Sequence, residues 1–135
     1  MRNQKYLLDT NICIFFMRGK YELDEKFRSV GANNCYISSI TVAELFYGAA
    51  CSKKPAEEKK KISKLVSLLN VLRIDDCLEQ YAESKAYLRN KGDLIDDFDL
   101  LIGATAIVHN MIAVTDNTKH LGKLPNIKLE NWVER

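Results

Sequence analysis

The sequence lacks any apolar run long enough to cross a bilayer. The longest near its start, Ile12 to Met17, falls far short of the roughly 20 residues a spanning helix needs. No membrane role follows. It also lacks a secretory leader and a CxxC pair: Cys13, Cys35, Cys51 and Cys77 are widely scattered, which excludes the usual zinc and redox spacings. A reducing cytoplasm is the expected compartment. Neither His109 nor His120 has a partner at metal-ligand spacing, so both read as incidental. There is no internal repeat, low-complexity tract or linker to divide the chain. The net charge of +2, with 28% charged residues, is too small an excess to announce a nucleic-acid partner by itself. What is present is 47% apolar content over 135 residues, enough for a core and suited to one domain over 1–135.

Short apolar runs alternate with helical patterns. Tyr6-Leu7-Leu8 stops at Asp9, as a buried parallel strand does at the sheet edge. The pattern predicts a helix over Thr10 to Met17, a charged helix from Tyr21 to about Ser29 and a loop at 31–34. A strand over Cys35 to Ser38 and a helix over Ile40 to Ala50 follow. Ile62, Leu65, Val66 and Leu69 form an i, i+3, i+4, i+7 stripe on the next helix. Val71-Leu72 with Ile74 reads as a third strand, and Asp76 with Glu79 as a capping pair opening a helix through Leu88. Asp97 to about Asn110 is the most apolar helix, with Phe98, Leu101, Ile102, Thr105 and Val108 on one broad side. Ile112 to Thr115 and Ile127 to Leu129 complete the strands. This alternation predicts a doubly wound, mostly parallel α/β sheet of five strands flanked by helices.

Acidic residues stand at the joints of this pattern: Asp9 in LLDTN, Glu44 in VAELFYG, Asp99 in DDFDLLIGA and Asp116 in AVTDN. Such positions can meet at the carboxyl edge of a parallel sheet, where open α/β folds place their sites. Converging carboxylates repel one another unless protons or hard cations compensate, and Mg²⁺ or Mn²⁺ are the usual partners of oxygen ligands. The implied chemistry is phosphodiester hydrolysis. Each acid also has a plainer role open to it. Asp9 could cap the helix at Thr10, Glu44 could close a capping box with Thr41, and Asp116 could be a turn residue. The acids around Asp99 could complement the helix dipole. At about 100° per residue, Asp96 shares a side with Asp99 and Asp97 points away. Asp99 is therefore the expected ligand and Asp96 an auxiliary. Gly103 and Ala106 share that side, and their small size would let another element approach. Thr10 and Thr115, each beside an acid, could orient its carboxylate, or act as ordinary cap and strand residues.

LLDTN, the Ser38 to Gly48 segment S-x-x-T-V-A-E-L-x-x-G, IDDFDLLIGATA, and AVTDNTKHL with LENW together resemble the PIN domain, specifically the VapC toxins of prokaryotic toxin–antitoxin pairs. The resemblance spans nearly the whole chain in motif order. It implies five parallel strands and a Mg²⁺- or Mn²⁺-dependent endoribonuclease that cleaves single-stranded or loop RNA by metal-activated water. Asp9, Glu44, Asp99 and Asp116 are then the catalytic and metal-binding acids, with Asn11 an auxiliary beside Asp96, Thr10 and Thr115. Asn stands at the position of Asp116 in many members, which makes this acid an assisting group. The resemblance further implies a homodimer silenced by a small VapB-like antitoxin.

Other readings are a PIN nuclease of RNA processing, a silent RNA- or partner-binding module, and an Asp-nucleophile phosphatase suggested by Leu8-Asp9-Thr10. The phosphatase normally wants a second Asp where this chain has Asn11. Arg18, Lys20, Lys119 and Lys123 follow the acidic motifs and could meet phosphates.

Overall fold

The computed structural model describes residues 4–135. The chain runs β1 (Tyr6–Leu8), α1 (Thr10–Met17), α2 (Leu23–Val30), a 3₁₀ turn (Ala32–Asn34), β2 (Cys35–Ser38), α3 (Ser39–Ala50), α4 (Pro55–Leu68), β3 (Asn70–Leu72) and α5 (Leu78–Asn90). It continues through α6 (Asp97–Val108), β4 (Ile112–Val114), α7 (Thr118–Leu121) and β5 (Lys128–Glu130). The strands form one sheet in the order β3-β2-β1-β4-β5, every neighbouring pair parallel.

The strands are short, and the central three, β1, β2 and β4, send successive side chains to opposite sides and bury both faces, whereas the edge strands β3 and β5 stay largely open. Leu8 and Val114 join a core with Ile12, Phe27, Leu45, Ile62 and Leu65, under α1 to α4. Leu7 and Ala113 face the other way, into a core with Leu88, Leu100, Ile102 and Leu121. Trp132 and Val133 enter the first core and tie down the segment after β5, with the Trp132 ring 5.3 Å from that of Tyr6. No helix among the described residues is long and apolar enough to cross a membrane.

Several local expectations are corrected. Tyr21 and Glu22 have φ of 58° and 53°, so they turn the chain before α2 instead of opening it. Ile74 lies outside β3, and α7 was not foreseen. Asp76 and Glu79 form no cap: Cys77 stands at the N-cap of α5 without a side-chain cap bond, and the Asp76 carboxylate accepts from the Cys77 thiol. On α6, Phe98 and Val108 are exposed, while Leu100, Ile102, Gly103, Ala104, Thr105 and Ala106 are buried. The helix is central, but it is packed around much of its circumference, so a single apolar stripe did not describe it.

Candidate active site

Strand order reverses between β1 and β4, and their carboxyl ends open a crevice at that switch point. Asp9 sits there because β1 ends at Leu8, and its backbone N–H still donates to the Val114 carbonyl at 3.0 Å. Asp99 comes in on the first turn of α6 and Glu44 on the second turn of α3. All three line one groove of about 670 Å³, together with Asn11, Asp96, Tyr47 and Phe98. A smaller polar recess of about 70 Å³ shares Asp9, Asn11 and Asp99 and is walled by Thr115, Asn117 and His120. At about 30 Å³ per water, that recess suits an ion with a partial hydration shell.

Asp9 serves two purposes at once. Its Oδ1 accepts from the Ile12 N–H at 2.9 Å, capping α1, while the side chain faces the groove. Burial pushes its carboxyl up from 3.8 to about 6; the Thr115 hydroxyl and the Ile12 N–H oppose the rise, and the charges of Asp116 and Asp99 add to it. An edge toward the groove stays open although the surroundings are dense. Asp99 is likewise held above the usual carboxylate range, by burial first and then by Asp96, with His120 acting against both.

Glu44 is free of the capping role. Ser38 caps α3, its Oγ accepting from the Ile40 N–H at 3.0 Å, so the box with Thr41 does not form. Instead the Thr10 hydroxyl donates to Glu44 Oε1 at 2.6 Å, with the buried Thr41 hydroxyl 3.2 Å from Thr10 Oγ1. Residue 10 thus fixes the rotamer of an acid on another helix. Thr115 is buried, and its Oγ1 accepts from the Asn117 N–H at 3.0 Å, ordering the turn after β4. Asp96 is the N-cap of α6, accepting from the Phe98 N–H at 3.1 Å. Asp97 points away as expected, to Tyr81 and Lys85 at 2.8 and 2.9 Å.

Asp116 stands apart. It lines neither cavity, its Oδ2 accepts from Arg135 Nη2 at 2.9 Å, and its Oδ1 is buried without a hydrogen-bond partner. A buried unpartnered carboxylate oxygen is costly, and its charge acts on Asp9. Donors that are all oxygen, with the carboxyls of Asp9 and Asp99 raised by burial and by neighbouring negative charge, fit a hard divalent cation.

Sequence reasoning missed two neighbours. His120 is not incidental: its Nδ1 lies 3.8 Å from Asp99 Oδ2 and 2.8 Å from Asn117 Nδ2. It reaches Asp99 because Gly103 lets the segment after β4 settle on α6; a Cβ at Gly103 would stand 2.5 Å from Leu124 Cδ1 and 3.3 Å from Leu121 Cδ2. Arg135 also lay outside the motifs. The nearest signal was the spacing of Asn117 and His120 after Asp116 within AVTDNTKHL. Of the basic residues, Lys123 is committed to Asp93 at 2.7 Å, and Arg18 lines a different cavity.

The PIN-domain family matches residues 6–125. The chain is 37% identical over 130 residues to ribonuclease VapC2 of Rickettsia felis, covering 94% of this chain and 97% of that protein. It is 34% identical over 130 residues to the tRNA(fMet)-specific endonuclease VapC of Salmonella typhimurium, covering 95% and 98%. Among solved structures, the DNA-bound VapBC of Salmonella typhimurium superposes with a TM-score of 0.89 at 31% identity, over 96% of this chain and 98% of that one. VapBC2 of Rickettsia felis bound to a promoter DNA fragment gives 0.84 at 36% identity, over 96% and 99%. This chain belongs to the PIN-domain family and, within it, to the VapC ribonucleases.

Proposed function

We propose that this protein is the toxin of a VapBC-type pair, a divalent-metal endoribonuclease in which the whole chain 1–135 is one PIN domain acting in the cytoplasm. The observation that carries the reading is the meeting of Asp9, Glu44 and Asp99 in one groove at the switch point, with the unsatisfied Asp116 Oδ1 behind Asp9. Mg²⁺ or Mn²⁺, when bound, would make water more acidic and offset negative charge on the phosphate.

Asp9, Asp99 and Glu44 would supply the oxygens that hold the ion, and the Thr10 hydroxyl keeps Glu44 turned into the groove. Asp116 adds negative charge near Asp9, and one of its oxygens is partnered by Arg135. His120, beside Asp99, is placed to exchange a proton or contact a phosphate oxygen at the recess. Tyr47 and Phe98 line the groove and are 73% and 45% exposed, a surface on which unpaired bases can stack. That arrangement favours single-stranded or looped RNA over a duplex.

The name of the Salmonella relative makes initiator tRNA a first substrate to try, and the VapBC structures make a small VapB-like antitoxin the expected partner, with a homodimer of the toxin at its centre. The test is cleavage of tRNA and of a single-stranded oligonucleotide by the purified chain with Mn²⁺, with Mg²⁺ and with chelator. Cleavage that needs the ion and fails in Asp9→Asn is expected. Binding of RNA without cleavage would favour a silent module, and phosphate release from a small monoester a phosphatase.

A further inference from the structure

A different kind of ligand cluster lies at the junction of α5 and α6. Asp76 and Cys77 immediately precede α5, and His109 closes α6. A carboxylate oxygen, the Cys77 sulfur and an imidazole nitrogen all lie within 4.8 Å of one another. None of the three residues lines the carboxylate groove or its recess.

The local contacts leave this cluster incomplete. The Cys77 thiol donates to Asp76 Oδ1 at 3.1 Å, and Cys77 is fully buried. His109 Nε2 lies 3.1 Å from Asp76 Oδ2, yet this nitrogen is buried and makes no hydrogen bond. The distance is short enough, so the ring is turned off the oxygen. The nitrogen, the Cys77 sulfur and an Asp76 oxygen are close enough to one another to be reached by one ion. Buried polar atoms normally find partners, and one left without a partner beside a thiol and a carboxylate points to a cation.

The donor set decides which cation. Mg²⁺ and Ca²⁺ take oxygen and have little use for sulfur, whereas Zn²⁺ binds sulfur, nitrogen and oxygen together in tetrahedral sites. Three protein donors leave a fourth position, and the Asp76 side chain, 57% exposed, leaves a path to solvent. We propose that Asp76, Cys77 and His109 form a second metal site for Zn²⁺ or a similar borderline transition ion, separate from the catalytic groove. Binding replaces the proton on the Cys77 sulfur with a sulfur–metal bond and releases that proton to solvent; His109 binds as neutral imidazole through Nε2. The ion would tie the start of α5 to the end of α6, the helix that carries Asp99 on its first turn.

Titration of the metal-free full-length chain with Co²⁺ tests this, because cobalt bound to thiolate in a tetrahedral site gives a sulfur-to-metal charge-transfer band and visible d–d bands. Wild type and Asp9→Asn are expected to give both. Cys77→Ser is expected to lose the charge-transfer band, and Cys51→Ser, at the exposed thiol, to keep it. His109→Gln, a milder change to the fold, is expected to bind Zn²⁺ weaker by more than about tenfold, the loss that even an outer hydrogen-bond partner can bring. Its Mn²⁺-dependent RNA cleavage, measured with Zn²⁺ absent, is expected to match wild type. No charge-transfer band in wild type, a band that survives in Cys77→Ser, or unchanged Zn²⁺ affinity in His109→Gln would overturn the proposal.

Discussion

Asp97 and Asp99 lie two residues apart on one helix and meet opposite electrostatics. Asp97 accepts from the Lys85 ammonium and the Tyr81 hydroxyl, which hold its carboxyl below the usual range. Asp99 meets burial and Asp96, which push its carboxyl up, with only His120 in opposition. On the outer face the fold supplies the positive partner itself. In the groove it assembles negative charge and leaves compensation to something that binds, so the helix that anchors α5 with one acid offers a ligand with the other.

The largest expected consequence is in catalysis. Asp9→Asn and Asp99→Asn each keep side-chain size and remove the charge of a proposed ligand, so RNA cleavage under single-turnover conditions should fall by roughly a hundredfold or more while circular dichroism stays native. Asp97→Asn should leave cleavage nearly intact. Equal losses at 97 and 99 would erase the contrast between the two faces.

The pH dependence of stability comes next. Asp9 binds its proton more tightly when folded, with a carboxyl at about 6 against 3.8 ordinarily. Between those values the native state holds more protons than the unfolded chain, so metal-free stability should fall as pH rises through that window, by up to roughly 3 kcal/mol from this group. Asp9→Asn should flatten this part of the profile. Mn²⁺ competes with the same proton, so its affinity should climb toward about pH 6 and then level off. At a hundredfold excess over Kd it should add on the order of 3 kcal/mol to wild type and much less to Asp9→Asn. Melts at several pH values, with and without Mn²⁺, measure both. A metal response in Asp9→Asn equal to that of wild type would leave this residue with its capping role alone.

A smaller effect probes how the groove wall is built. Gly103→Ala would place a methyl group against Leu124 and Leu121, both buried, and force them to shift. Overpacking of this kind costs about 1–3 kcal/mol. Because the same segment carries His120 to Asp99, cleavage by the folded fraction should also drop, whereas the outer-face contacts of Asp97 should persist. Denaturant melts and single-turnover rates on one preparation would separate the two losses.

What the sequence made legible follows from the range of the interactions involved. Strand ends such as Leu8-Asp9, the strand Cys35–Ser38 and the helix Thr10–Met17 are set by apolar pattern over a few residues, and the structure has them where the pattern put them. The helical phase that separates Asp97 from Asp99 is equally local. Tyr21 and Glu22 were misread because helix-compatible residues there take left-handed backbone, which pattern does not encode. The Thr41–Glu44 box was plausible until Ser38 took the cap and Thr10, from another helix, took Glu44. His120 near Asp99, His109 near Asp76 and Arg135 at Asp116 are tertiary juxtapositions, invisible to spacing.

Arg135 gives the smallest effect and the most informative sign. It sets a permanent positive charge against a family acid: it donates to Asp116 Oδ2 and to the Tyr21 hydroxyl, each at 2.9 Å, and its guanidinium lies 5.2 Å from the Tyr21 ring centre. Its side chain is 62% exposed, so solvent weakens its field. Removing one such charge near the groove is worth at most about 1 kcal/mol, or roughly fivefold in affinity. If Arg135 offsets charge that the metal would otherwise offset, Arg135→Ala should bind Mn²⁺ a few-fold more tightly at low salt, and the gain should shrink as ionic strength rises. If its main effect is to hold Asp116 in place, the same variant should bind Mn²⁺ more weakly at every salt concentration. The first outcome is expected, because Asp116 Oδ1 is already buried by its surroundings while the contact of Arg135 is to the other oxygen. Calorimetric titration of Mn²⁺ at low and high salt distinguishes them and shows whether Asp116 belongs with the uncompensated acids of the groove or with the paired acids outside it.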